Sequence, residues 1–372
     1  MKSKIKKYIS NIINYTKNNL WLLSLVIAIT VIIAGLLIST ESNRLVAPNG
    51  ESGSHYLLEN NIPIKYLANW DGVDYIHIAS SGYDDKFFTG FFPFYALLIK
   101  FVHIFVDSYL ISGIIISWLS LWGAIYFYMK VIKKYLESIG DTIKNNLTLL
   151  KASLYFVLFP SGIYLMCVYT ESFYALTALA SIYFALSRRI VPATAFLALS
   201  VITRVTGFFL IPLIVLILIE EKFTVIKSFI TGIIGSIGLI AYMIFLQIKF
   251  SNPIEFAQSQ TVHHWLKARI WSNFGGASLL DLALVITLII SVIYWNKRRK
   301  SFALYSLFFL AIPFIGGQFD GFARYTLMAF PVQIMLFDYF KNKIHAQVVS
   351  LVALSSMWTY SVILFAAGFV TH

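Results

Sequence analysis

Apolar residues in this chain run in long unbroken stretches, without the alternation of a half-buried strand or the three-to-four spacing of a surface helix. The run from Leu20 to Ile38 is long enough to cross a hydrocarbon core of about 30 Å. Further runs follow near 109–129, 150–166, 171–187, 190–204, 207–219, 226–248, 279–295, 301–316, 324–340 and 346–369. The pattern predicts an all-α integral membrane protein, a bundle of about 11 transmembrane helices in a single polytopic domain over residues 1–372. The runs 190–204 and 207–219 are short for spans. Their junction at Thr203, Arg204 and Gly207 suggests half-helices meeting at a cavity.

Where the polar residues fall sets the orientation. Lys2, Lys4, Lys6, Lys7 and Lys17 precede the first run, and Leu36 to Glu41 offers a signal peptidase little, so the first helix reads as uncleaved with a cytoplasmic N-terminus. Phe91–Val106 is a further apolar stretch, but counting it as a span would put Lys130, Lys133, Lys134, Lys144 and Lys151 outside. It also carries Lys100 and His103, so it is assigned to the outer membrane surface or to a re-entrant element. The remaining parity places Arg188, Arg189, Lys297 to Lys300, Lys341 and Lys343 inside, as expected of a multi-pass protein of the cell membrane. Two long segments then lie outside: a first external loop at 40–107, carrying juxtamembrane helices, and a second at 249–278. Loops of that length in a compact membrane protein usually carry function.

Composition sharpens this reading in three places. Only 12% of residues are charged against 59% apolar, which excludes an ordinary soluble domain. The net charge of +12 sits in short clusters between apolar runs, which marks topology and gives no nucleic-acid stripe. One cysteine, Cys167, excludes a disulfide framework within the chain.

The richest chemistry lies in the first external loop. Trp70-Asp71-Gly72-Val73-Asp74-Tyr75 is followed by Gly82-Tyr83 and by Phe91-Phe92-Pro93-Phe94-Tyr95. On a helix, positions 71, 74, 75, 78 and 82 share a face, so two carboxylates and an aromatic ring point the same way. Such a pair suits acid–base work, and equally suits a helix cap followed by a solvated first-turn carboxylate. Glu171 stands at a helix mouth, Arg204 between two short runs, and Gln318-Phe319-Asp320 lies just before Arg324. Arg204 and Arg324, at helix ends away from the cytoplasm, are candidates for gripping an anion, because a guanidinium presents a fixed fork to phosphate oxygens. Lys267 and Arg269 read as interfacial anchors. His263 and His264 cannot both face one point, and no H-E-x-x-H spacing accompanies them, so no metal ligands are assigned; His264 is kept as a candidate contact to sugar or phosphate. Nothing in the spacing requires a cofactor, and a divalent cation on the external carboxylates stays open. There is no Walker loop, Rossmann glycine pattern or G-x-S-x-G.

The block Trp70-Asp71, Tyr75, Ile78-Ala79, Gly82-Tyr83 and Phe91-Phe92-Pro93 with Tyr95 closely resembles the first luminal loop of the PIG-V family of mannosyltransferases and their prokaryotic relatives. Thr203-Arg204-x-x-Gly207 and the late Arg324 with Pro331 also look like family positions. Asn69 stands where many members carry a basic residue. The resemblance implies a GT-C glycosyltransferase that takes a sugar from a polyprenyl-phosphate donor on the non-cytoplasmic face and passes it to a lipid-linked, polymer or protein acceptor. It also implies that Asp71 is the catalytic aspartate. Asp74 would orient the acceptor or support Asp71, while Trp70, Tyr75, Tyr83, Phe92 and Pro93 would shape the substrate site. Two rival classes share the composition: a lipid or glycolipid transporter, favoured by the broken helices at 190–219, and a non-enzymatic envelope scaffold docking through 40–107. Membrane lipids are expected partners in every case.

Overall fold

The computed structural model describes residues 19–45, 64–141, 146–262, 278–316, 319 and 321–367, and all regular structure among them is helical. Five helices are long and apolar enough to cross a membrane: α1 (Leu20–Leu45), α4 (Tyr109–Ser138), the pair α9 (Val225–Gly235) and α10 (Ile237–Phe250) taken as one stretch, α12 (Leu279–Asn296) and α16 (Ile344–Ala366). The other apolar helices are shorter: α3 (Pro93–His103), α5 (Leu147–Val157), α6 (Glu171–Leu186), α7 (Ile190–Thr203), α8 (Leu210–Glu220) and α13 (Lys300–Gly316). Against the expectation of about 11 spans, the described residues hold five helices of spanning length and a set of shorter apolar ones.

Local chemistry explains where the expected spans break. The run 150–166 stops as helix at Val157, and a single 3₁₀ turn, Gly162–Leu165, replaces its last third. Pro160 disfavours helix for the residue before it. A Cβ at Gly162 would stand 2.4 Å from the Val157 carbonyl oxygen, so only glycine permits that close turn. The run 324–340 divides into α14 (Phe322–Leu327) and α15 (Phe330–Phe340), where Pro331 opens a new helix in the first-turn position that needs no amide hydrogen. Between α7 and α8, Arg204 is fully extended (φ −157°, ψ 145°) and a 3₁₀ turn, Val205–Phe209, restarts the chain. The half-helix expectation for 190–219 matches this break.

Burial sorts the helices into two populations. The long helices α1, α9, α10, α12 and α16 carry most of the exposed large apolar side chains, such as Leu37, Ile233, Ile248, Ile293 and Val349. This is the surface that acyl chains cover. The short α6 is buried along nearly its whole length, packed between α4 and α7. Its N-terminal residue Glu171 therefore starts out in the protein interior. The 40–107 segment contributes α2 (Asp71–Ser81) and α3, and the 3₁₀ turn Lys86–Gly90 packs against α11 (Glu255–Val262) from the 249–278 segment. At 11 residues, α3 is about 16 Å long, half of what a span needs, in keeping with the surface or re-entrant assignment.

Candidate active site

Asp71 is the first residue of α2, and its position is set by the backbone on either side. Trp70 adopts φ 60° and ψ −127°, a conformation that a residue with a Cβ rarely takes, and turns the chain sharply into the helix. Strain of this kind is held only where the surroundings over-determine it. Two contacts do so: the Val168 amide donates to the Leu67 carbonyl at 2.8 Å, and the Tyr169 hydroxyl donates to the Asn69 carbonyl at 2.7 Å. The Asn69 side-chain amide in turn donates to the Phe365 carbonyl at 3.2 Å, tying the segment to the end of α16. At Gly72, a Cβ would meet the Val168 carbonyl at 3.1 Å, so glycine lets the first turn of α2 lie directly on that strand of chain.

Four charged residues from four segments meet at this point. The Arg324 Nη1 donates to Asp71 Oδ2 at 2.5 Å, and its Nε donates to Glu171 Oε1. The Arg204 Nη1 donates to the same Glu171 oxygen and, at 3.3 Å, to the Thr170 hydroxyl. Glu171 is fully buried at the N-terminus of α6, where the helix dipole favours negative charge, and it is held from both sides by cations. Two carboxylates and two guanidiniums leave the cluster formally neutral. That suits burial, since an unpaired charge in the interior is strongly destabilising. Arg324 also lies over the rings of Tyr169 (4.6 Å) and Tyr164 (5.1 Å), and Arg204 over Tyr325 (5.4 Å), so aromatic faces complete both guanidinium shells.

The network is closed at one end and open at the other. The Glu171 side chain is 0% exposed, whereas that of Asp71 is 31% exposed. The Arg204 Nε is buried with no hydrogen-bond partner among the described residues, and so is the Trp70 indole Nε1. Asp74, one turn along α2, is half-buried and has no cationic partner among the described residues. Burial and the neighbouring Asp71 push its carboxyl up to about 7, so near neutral pH it exchanges a proton readily. Asp71 is not the side-chain cap that a surface helix would use: the helix shows no side-chain cap at Trp70, and the Asp71 carboxylate is engaged by Arg324.

Of the residues singled out in the sequence, Trp70, Asp71, Asp74, Glu171, Arg204 and Arg324 gather here. Tyr75 is buried behind Asp74, edge-on to Phe91 and Tyr95 at 5.3 Å each. Tyr83 and Phe92 belong to a separate aromatic cluster with Tyr242. The Tyr83 hydroxyl donates to the Phe91 carbonyl at 2.6 Å, and Phe92 packs on Tyr242 and Phe256. Pro93 opens α3. His264 and Gln318 lie outside the described residues. Residues that sequence reasoning passed over are Tyr164, Tyr169, Thr170 and Tyr325, which support the arginines. The only signal for them was an aromatic, hydroxyl-rich approach to Glu171. Among the described residues no group of His, Cys, Asp and Glu is arranged to hold a metal ion.

Solved structures similar to the chain include an Archaeoglobus fulgidus oligosaccharyltransferase described with zinc and sulfate (13% identity, TM-score 0.46, covering 91% of this chain and 53% of that one). They also include the same organism's enzyme tethered to an acceptor peptide (12% identity, TM-score 0.47, 92% and 55%), and its AglB with an inhibitory peptide and a dolichol-phosphate (13%, 0.45, 92% and 56%). The chain spans a little over half the length of these proteins. No curated protein matches it. The profile of the mannosyltransferase (PIG-V) family, by contrast, matches residues 12–297, a stretch that takes in α2, Glu171 and Arg204, and the chain belongs to that family of membrane glycosyltransferases.

Proposed function

We propose that the chain transfers a sugar, mannose by its family, from a polyprenyl-phosphate donor to a lipid-linked, polymer or protein acceptor. The face is the non-cytoplasmic one, with the N-terminus of the chain in the cytoplasm. The observation that carries the reading is the convergence of Asp71 with Arg204 and Arg324 on the buried Glu171. Transfer between oxygens at an anomeric carbon needs a group to accept the acceptor's proton and a charge to steady the departing phosphate. Both are supplied within one cluster beside the juxtamembrane helix α2.

In this mechanism the acceptor hydroxyl attacks the anomeric carbon, its proton passes to Asp71, and the bond from that carbon to the phosphate oxygen breaks. The lipid phosphate leaves with the electron pair and is met by the guanidiniums. Phosphate is a good leaving group, so no second carboxylic acid is needed to protonate it, unlike the paired acids of glycoside hydrolysis. A single displacement inverts the anomeric centre. Asp74 orients the acceptor or supports Asp71.

The test is sugar transfer in membranes from polyprenyl-phosphate-mannose, with polyprenyl-phosphate-glucose alongside, by wild type and Asp71→Asn. Transfer from the mannose donor that disappears in the variant supports the reading and names the sugar. Transfer retained by Asp71→Asn removes that residue from the chemistry. No transfer by folded wild type supplied with native lipid extract overturns the enzyme reading and makes lipid translocation the next assay.

A further inference from the structure

The ion network contains a conflict that the proposed chemistry has to resolve. Asp71 is offered as the proton acceptor, yet its Oδ2 already accepts from Arg324 at 2.5 Å, so that oxygen is not open to an acceptor hydroxyl. Arg324 is offered as a phosphate contact, yet two of its nitrogens are already committed, one to Asp71 and one to Glu171. The cluster is formally neutral as it stands, so an incoming phosphate finds no surplus positive charge. One carboxylate has to give way.

Burial decides which. Glu171 is completely enclosed, shares one oxygen between Arg204 and Arg324, and sits on a helix N-terminus that favours its charge. Releasing it would leave a bare buried anion, which is far costlier than the exchange gains. Asp71 is the most exposed member, 31% at its side chain, and among the described residues its side chain is held by one hydrogen bond, from Arg324. Withdrawn from that contact, it can be solvated at the open end beside Asp74. Arg324 would stay in place meanwhile, clamped by Glu171 and by the Tyr164 and Tyr169 rings. Nearby, the buried Nε of Arg204 has no acceptor among the described residues.

We infer that Arg324 is an exchange point, at which the phosphate of the lipid donor replaces Asp71 on the guanidinium and so frees Asp71 to act as the base. Resting on the glycosyltransferase reading, this makes donor binding the step that arms the site: the donor binds first, and the acceptor is activated only afterwards. An empty site keeps its base masked, which protects against idle proton chemistry before the donor arrives.

The exchange predicts that Asp71 and phosphate compete for one partner. The experiment measures binding of a short-chain, sugar-free polyprenyl monophosphate to the purified full-length chain at pH 8, with the corresponding polyprenol as control. Asp71→Asn is expected to bind the phosphate at least about fivefold more tightly than wild type, the size of a modest coupling. In an Arg324→Gln background the same substitution is expected to change nothing, because the shared partner is gone. Asp74→Asn removes a neighbouring negative charge that is not bonded to Arg324, and is expected to tighten binding far less. Equal tightening by Asp71→Asn and Asp74→Asn, or none by Asp71→Asn while wild type still transfers sugar, would overturn the exchange and leave the enzyme reading standing. Wild type that prefers the phosphate no more than the alcohol would overturn both. Helical content by circular dichroism checks that each variant is folded.

Discussion

The molecule has ionic networks at both ends of its helices, and they are built differently. At the end where α2 and α6 begin, the buried Glu171 binds Arg204 and Arg324, Asp71 binds Arg324, and among the described residues an Arg204 nitrogen and Asp74 beside them lack partners. At the opposite ends of α4, α12 and α15, Asp338 accepts from the hydroxyls of Tyr135 (2.7 Å) and Tyr294 and pairs with Lys341 (2.7 Å), which also reaches Asp141 at 2.6 Å. Close by in sequence terms, at the end of α8, Arg299 is shared by Glu220 (2.9 Å) and Glu221 (2.5 Å), and the Ser301 amide caps onto Glu220 at 2.8 Å. The second kind of network ties helix ends together beside short polar turns, around the largely buried side chain of Asp338. It reads as a set of struts. The first kind buries its charges where a strut of apolar side chains would serve stability as well, and it keeps spare donors and a spare carboxylate. What distinguishes the site from the braces is a carboxylate without a cationic partner among the described residues, Asp74, set beside arginines that two other carboxylates already share.

That contrast can be broken most decisively by activity. Asp71→Asn is expected to lower transfer by about 10²- to 10⁴-fold, the range for loss of a positioned proton acceptor. Asp338→Asn, at the bracing end, is expected to leave transfer within a small factor of wild type. The same radiolabelled transfer assay in membranes reads both. Comparable losses in the two variants would erase the distinction.

Stability gives the next largest difference. Glu171→Gln leaves the buried Arg204 without a carboxylate and Arg324 with Asp71 alone, and is expected to cost on the order of 3–5 kcal/mol, seen as a large drop in the detergent melting temperature. Glu220→Gln, whose partner is also held by Glu221 and whose side chain is 25% exposed, is expected to cost about 1 kcal/mol or less. Between these lies Arg324→Lys. It keeps the charge but loses the fork, and is expected to slow transfer by about 10²-fold, the usual loss when a stabilising contact to developing charge is removed.

The dependence on pH sharpens the picture further. The Asp74 carboxyl stands at about 7 in the folded chain against about 3.9 unfolded. A raised acid favours the fold while protonated; that contribution is complete below about pH 4 and is lost as pH rises through 7. Asp74→Asn is therefore expected to flatten the fall in melting temperature between those values and to be the more stable protein at pH 8. A wild-type profile that is already flat there would remove the raised carboxyl from the account. The smallest effect is expected at Lys86, whose side chain is 60% exposed and pairs with Glu255 of α11 at 3.3 Å. Lys86→Gln is expected to shift stability by less than about 1 kcal/mol, with the shift vanishing in high salt.

The sequence by itself determined the membrane class, the positions of the long helices and the candidacy of Asp71, Asp74, Glu171, Arg204 and Arg324. Those conclusions rest on local properties: uninterrupted apolar length, helical spacing within one turn, and charge left at the mouths of apolar runs. The resemblance carried by residues 70–95 supplied the family, which the match over 12–297 bears out. Only the tertiary structure decided which charges meet. Asp71 and Arg324 are 253 positions apart, and Glu171 and Arg324 are 153 apart, so no periodicity or spacing links them. It also decided that the run 150–166 ends early to deliver Tyr164 and Tyr169 beneath an arginine, and that Tyr83 and Phe92 pack on Tyr242, away from the charges. The physical reason is the same in each case. Hydropathy along a chain reports how much surface each segment must hide, but which partners it hides against is chosen by packing among helices of nearly equal apolarity, and a buried charge reveals its role only through the partner that packing gives it.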